Sequence, residues 1–142
     1  MILGVLLEHD FIKDENGRVW SKGVIDYEYL KRYLNVFEKV IVCARIKCGK
    51  NENEKKEYIL EVSGDNVDFV ELPYALNYKD IIKRFFDFRK SFKNVIKKAD
   101  KIIIRGPSII SLMLYKMVCN KKKFAVEFVM GAEQILTETS LI

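Results

Sequence analysis

Cysteine is scarce in this 142-residue chain, and the three present, Cys43, Cys48 and Cys119, form no Cys-x-x-Cys pair. No histidine lies near any of them in sequence. They read as reduced thiols of a cytosolic protein, not as a disulfide framework or a metal site. Long apolar runs are also missing. None approaches the roughly 20 residues that span a bilayer as a helix. The apolar start "MILGVLLEHD" has no basic flank and no cleavage site, so it reads as a strand and not as a signal peptide. Phosphate-binding signatures are absent as well. Gly17 and Gly23 in "GRVWSKG" do not make the G-x-G-x-x-G dinucleotide fingerprint, and "GKNENEK" is not closed by the Gly-Lys-Ser/Thr of a P-loop. No cofactor is expected, and no catalytic triad announces itself.

What is present is a balanced globular composition, 49% hydrophobic and 32% charged. That excludes a disordered or membrane-embedded chain and suits one domain, residues 1–142, around one core. The net charge of +5 favours anionic partners without choosing among them.

Apolar runs alternate with amphipathic stretches. "ILGVLL", "KVIVCAR", "KIIIR" and "KFAVEFV" are short continuous runs, suited to strands covered on both faces. Asp26 can cap a helix whose stripe is Tyr29, Leu30, Tyr33, Leu34 and Phe37. "YILEV" and "VDFVEL" flank "SGDN" and predict an antiparallel hairpin. A long helix is predicted over 78–98, with Ile81, Phe85, Phe88, Phe92 and Val95 on its core side. "PSIISLMLYKMV" predicts another. The order predicts a Rossmann-like three-layer α/β/α fold, with a mostly parallel sheet and a short hairpin addition.

In such sheets ligands bind outside the carboxyl ends of the strands. That rule collects Glu8, His9 and Asp10, the loop from Gly17 through Trp20, Ser21 and Lys22 to Gly23, then Arg45, Pro73 and Tyr74. It adds Arg105, Gly106 and Ser108, and finally Met130 and Gly131. His9 is the only histidine, a general base or a plain surface residue. Trp20 could pack on a sugar face or simply cover the core edge. Pro107 fits a first helical turn, where Arg105, Ser108 and free N–H groups would form an anion- or hydroxyl-binding corner. The alternative for Arg105 is a structural pair with Glu127, a charge expected inside a buried strand.

"KRFFDFRKSFKNVIKK" mixes phenylalanine with lysine, as nucleic-acid binders do. Helical phasing puts the phenylalanines in the core, so no nucleic-acid partner is expected. The remaining cationic face suits an anionic membrane surface or solvation.

Four stretches in order, "ILGVLLEHDF", "GRVWSKGVIDYEYLKRYLNVFEKVIVCAR", "ADKIIIRGPSIISLMLYKM" and "KFAVEFV", resemble the N-terminal domain of glycosyltransferases of the GT-B fold, family 4-like. These work in polysaccharide and lipopolysaccharide assembly. The resemblance implies the acceptor-binding half of a hexosyltransferase, whose donor-binding C-terminal half is absent from the chain. It implies a saccharide or lipid-linked saccharide acceptor and a separate donor-domain subunit. It also implies a cytoplasmic location, peripheral at the inner face of the membrane, and little catalysis by this chain alone. The loop Gly17–Gly23 would approach the cleft, with Arg105 and Ser108 along its wall. Where relatives follow the last strand with "VGD", this chain reads "VMGA". The competing reading is a non-catalytic interaction module, docking or self-associating through the sheet edge and the segment "EQILTETSLI".

Overall fold

A computed structural model of the chain describes residues 1–49, 52–75 and 77–128. Met130, Gly131 and the segment "EQILTETSLI" lie outside the described residues, as does part of "GKNENEK".

The first apolar run forms strand β1 (Ile2–Leu6), buried from Leu3 onward. β4 (Lys39–Cys48), β6 (Val67–Leu72), β7 (Lys101–Gly106) and β8 (Lys123–Phe128) join it in parallel. β1 lies between β4 and β7, with β6 outside β4 and β8 outside β7. Counted among these parallel strands in chain order, the sheet reads third, second, first, fourth, fifth. That is a doubly wound order, and its direction of winding reverses between β1 and β7.

Helices cover both faces. Asp26 caps α1 (Tyr27–Leu34), accepting the Tyr29 amide at 2.8 Å. Its Leu30 and Tyr33 pack on Leu3, Val5, Val40 and Val42. On the other face α4 (Phe85–Lys98) and α5 (Ile109–Val118) bring Phe88, Phe92, Val95, Ile110 and Leu114 against Leu6, Ile41, Ile102 and Ile104. Each fully buried phenylalanine of this set contributes about 1.5–3 kcal/mol. The buried Cys43 sits in the same layer, where loss of solvation pushes its thiol up and out of the reactive range. All three cysteines are free.

The sheet is α/β and mostly parallel, but its antiparallel part is not the predicted one. Beyond the short helix α2 (Glu52–Lys55), β5 (Leu60–Glu61) pairs with β3 (Val19–Ser21), while β6 pairs in parallel with β4. The expected hairpin across "SGDN" therefore does not form. Val40, Val42 and Ala44 of β4 have no exposed surface, so both edges of that strand need hydrogen-bonded partners. β1 supplies one edge and β6 the other. Gly64 lies flat against the Tyr27 ring and Asn66 takes a left-handed φ of 62°, which reverses the chain into β6.

The presumed long loop after β1 contains a hairpin of its own. β2 (Phe11–Lys13) runs parallel to the far end of β4 and antiparallel to β3. Asp14 organises the turn by accepting the amides of Asn16 and Arg18, both at 2.9 Å, and Gly17 takes a φ of 77°.

The predicted helix 78–98 is broken. α3 (Tyr78–Lys83) stops at Arg84, α4 starts beyond it, and Phe85 is exposed instead of core. Pro107 precedes the first turn of α5; the N-cap is Ser108. Among the described residues β8 is an edge strand with exposed Val126 and Phe128, so Glu127 does not lie in a buried strand.

Candidate functional site

A cleft of about 330 Å³ opens where the winding of the sheet reverses. Glu8 and His9, just past β1, form one wall. Arg105, Gly106 and Pro107, leaving β7, form the other, and Val24 and Ile25 close it with apolar surface. Parallel pairing of β1 with β7 fixes this meeting, because both strands deliver their carboxyl ends to one rim.

A smaller hollow of about 110 Å³ adjoins it, lined by His9, Asp10, Phe11, Arg45, Lys47, Tyr74 and Ala75. His9 is the wall common to both. Arg45 is not at a strand end, since β4 continues to Cys48. Its guanidinium donates to the Ala75 carbonyl at 2.9 Å and so ties down the chain leaving β6.

Gly23 permits the position of His9. A Cβ there would lie 2.1 Å from His9 Nε2. That nitrogen is buried without a hydrogen-bond partner among the described residues. Packed against the Gly23 backbone, it is not presented to a substrate as a general base would be. Burial lowers the imidazole pKa from 6.5; Arg105 and Lys22 act in the same direction and Asp10 opposes them.

Arg105 meets the carboxylate expected of it and also borders the cleft. Its Nε lies 3.3 Å from Glu127 Oε2, the residue opposite it in the β7–β8 register. The contact is coulombic, since the N–H does not meet hydrogen-bond geometry. Glu127 is shared with Arg32 of α1, 3.6 Å away. Arg32 stacks over the rings of Tyr29 and Tyr33, at 4.0 and 4.5 Å, and Arg105 lies 5.5 Å from the Tyr29 ring. Burial pushes the Tyr33 hydroxyl up to about 12. The cleft wall is thus backed by two arginines on one carboxylate, an arrangement that keeps excess positive charge beside Arg105.

The other residues predicted for the site separate from it. Ser21 is buried; its hydroxyl donates to the Ile25 carbonyl at 2.6 Å and accepts from the Gly23 amide. It shapes the turn and offers no free hydroxyl. Ser108 and Ser111 form a reciprocal capping box, at 2.8 and 2.9 Å, so the corner expected at this helix start is occupied by its own side chains. Gly17 is at the hairpin tip. Trp20 donates to Asp14 at 2.9 Å and lines a separate cleft with Ile12, Lys55 and Tyr58. Lys22 is exposed, 3.4 Å from Asp10.

Lys47, Val24 and Ile25 line the two hollows but were not among the residues that the strand-end rule collected. Glu8, collected for its place directly after β1, does line the cleft. The apolar pair had no signal in the sequence, because nothing local says that residues 24 and 25 fold over another strand's end.

The chain is 29% identical over 134 residues to Protein CapJ of Staphylococcus aureus. The match takes in 90% of this chain and 32% of that protein, so the chain spans about a third of the relative's length. No protein-family model matches. No solved structure matches either.

Proposed function

We propose that the chain is an acceptor-binding domain of a glycosyltransferase-like protein in polysaccharide or glycolipid assembly. The observation that carries this reading is the cleft between the ends of β1 and β7. It combines an arginine, a carboxylate and an apolar wall where doubly wound sheets hold ligands. Val24 and Ile25 suit the C–H faces of a sugar ring, while Glu8 and Arg105 suit its hydroxyls or an attached acid group. The likeness to Protein CapJ is consistent, at a coarse level, with a role in polysaccharide assembly. On this reading the donor sugar is held elsewhere, by a further domain or subunit. Transfer depends on that part, because an acceptor held without a positioned donor gains neither proximity nor leaving-group stabilisation.

Saturation-transfer NMR with a broad panel of soluble glycans, alongside UDP- and GDP-sugars, tests the proposal. Transfer to a glycan that drops severalfold in Arg105→Ala is expected, with little to any nucleotide sugar. Tight nucleotide binding with no glycan ligand overturns it.

A second reading, a self-associating module, draws on β8. Val126 and Phe128 are exposed on a strand that, among the described residues, has a partner on one side only. Light scattering separates the two readings. A concentration-dependent dimer that Phe128→Lys dissociates favours this reading, and a strict monomer removes it.

A further inference from the structure

On the side away from β8, β6 has one edge in use and one open. The Val40 amide of β4 donates to the Asn66 carbonyl at 2.9 Å, and the parallel register runs on from there to Leu72. Backbone groups alternate between the two edges of a strand, so those of Val67, Phe69 and Glu71 point outward. Two of these groups are met within the chain. The Val67 amide donates to the Gly64 carbonyl, and the Glu71 carbonyl accepts the Ser91 hydroxyl at 3.2 Å. The N–H and C=O of Phe69 and the N–H of Glu71 have no partner among the described residues. An edge left open in this way is a template for one more strand.

α4 does not cover that edge but leaves a groove of about 710 Å³ beside it, running along residues 69–73. The facing wall is one side of α4. Asp87, Ser91, Asn94 and Lys98 follow one another at spacings of four, three and four, with Lys90 next to them and Arg84 at the N-cap. Arg84, Lys90 and Lys98 are exposed and enter no ion pair among the described residues. The carboxylates of the strand itself are already neutralised, Asp68 by Lys39 and Glu71 by Lys13. That leaves three cations against Asp87 on the groove wall. Every second side chain of an added strand would point to the face that α4 covers. Lys90 and Lys98 stand about 12 Å apart along the helix, and four residues of strand span about 13 Å. Carboxylates four residues apart on such a strand match this pair of lysines.

We propose that β6 and α4 form a docking groove for an extended acidic segment of a partner protein, which joins the sheet as a strand beside Phe69 and lays its carboxylates on Lys90 and Lys98. The inference goes beyond the acceptor reading. It uses the edge opposite β8 and none of the residues that line the cleft at Glu8, His9 and Arg105.

The test is fluorescence anisotropy of a short labelled peptide of alternating glutamate and valine, titrated with the full chain, beside a peptide of alternating lysine and valine. Saturable binding of the glutamate peptide alone, weakened by salt, is expected. Lys90→Glu with Lys98→Glu should weaken it roughly tenfold or more. Glu71→Pro removes the outward N–H at a position where an edge strand accepts proline, and should weaken binding severalfold. If Glu71→Pro does not fold, methylation of the peptide nitrogens supplies the same readout. Of two peptides, one methylated at every glutamate and one at every valine, one should lose binding, because only one set of N–H groups faces β6. No binding, equal binding of the lysine peptide, or wild-type affinity in the Lys90/Lys98 variant overturns the proposal. So does retained binding of both methylated peptides, which would make the groove a polyanion site with no strand in it. Self-association of the chain that Glu71→Pro abolishes, with no peptide bound, overturns it as well and makes the edge an interface between copies. Saturation transfer to a glycan should be unchanged in the Lys90/Lys98 variant, so failure here and failure of the acceptor reading are told apart.

Discussion

His9 illustrates how much a single residue's role depends on its neighbours. Its chain position, just past the first strand, suggests a catalytic base. Its surroundings make it a wall closed over by Gly23, where burial, with Arg105 and Lys22, holds its pKa below the ordinary value. Because the folded pKa lies below the ordinary 6.5, the unfolded chain binds the proton more readily. The contribution of His9 to stability is therefore complete above 6.5 and is lost as pH falls through the depressed folded value. NMR titration of the His9 ring should give a midpoint below 6.5; a midpoint at or above that value contradicts the packing described. Serines show the same lesson. Ser21 and Ser108 were both expected in rim loops, whereas Ser21 ends β3 and Ser108 caps α5, and which way each hydroxyl turns depends on backbone partners such as Ile25 and Ser111. Spacing carries no information about that.

Secondary-structure elements were readable where burial was two-sided. β1, β4 and β7 are continuous apolar runs, and α1 carries both a cap and a stripe. Three-residue strands such as β2 and β3 are too short to establish a period, so their hairpin was hidden in a loop. The turn at "SGDN" was visible, but the partner of the strand after it was not, because that choice is made by the unsatisfied edge of β4. Arg84 interrupts what periodicity alone reads as one helix. β1 packs closely against α4. A Cβ on Gly4 would sit 2.9 Å from Val95 Cγ1 and 3.1 Å from the Ala99 Cβ. Gly4→Ala should thus lower unfolding free energy by about 1–3 kcal/mol through overpacking. Chemical denaturation measures this, and an unchanged midpoint would mean that α4 stands farther from the sheet.

At the scale of the whole molecule, function rests on direction. β1, β4, β6 and β7 run the same way, so residues from 8 to 106 meet on one rim. That gathering was deducible from strand alternation alone, although its membership was not. The rim divides into a cleft at Glu8, His9 and Arg105 and a hollow at Asp10 and Arg45, while Trp20 faces a different one.

The most direct test of the central claim is a map of backbone amide shifts on titration with a glycan that shows saturation transfer. The account predicts perturbations concentrated at residues 8–10, 23–25 and 105–106, where the cleft is. Perturbations centred on Trp20 and Tyr58, with none at Glu8 or Arg105, would contradict it.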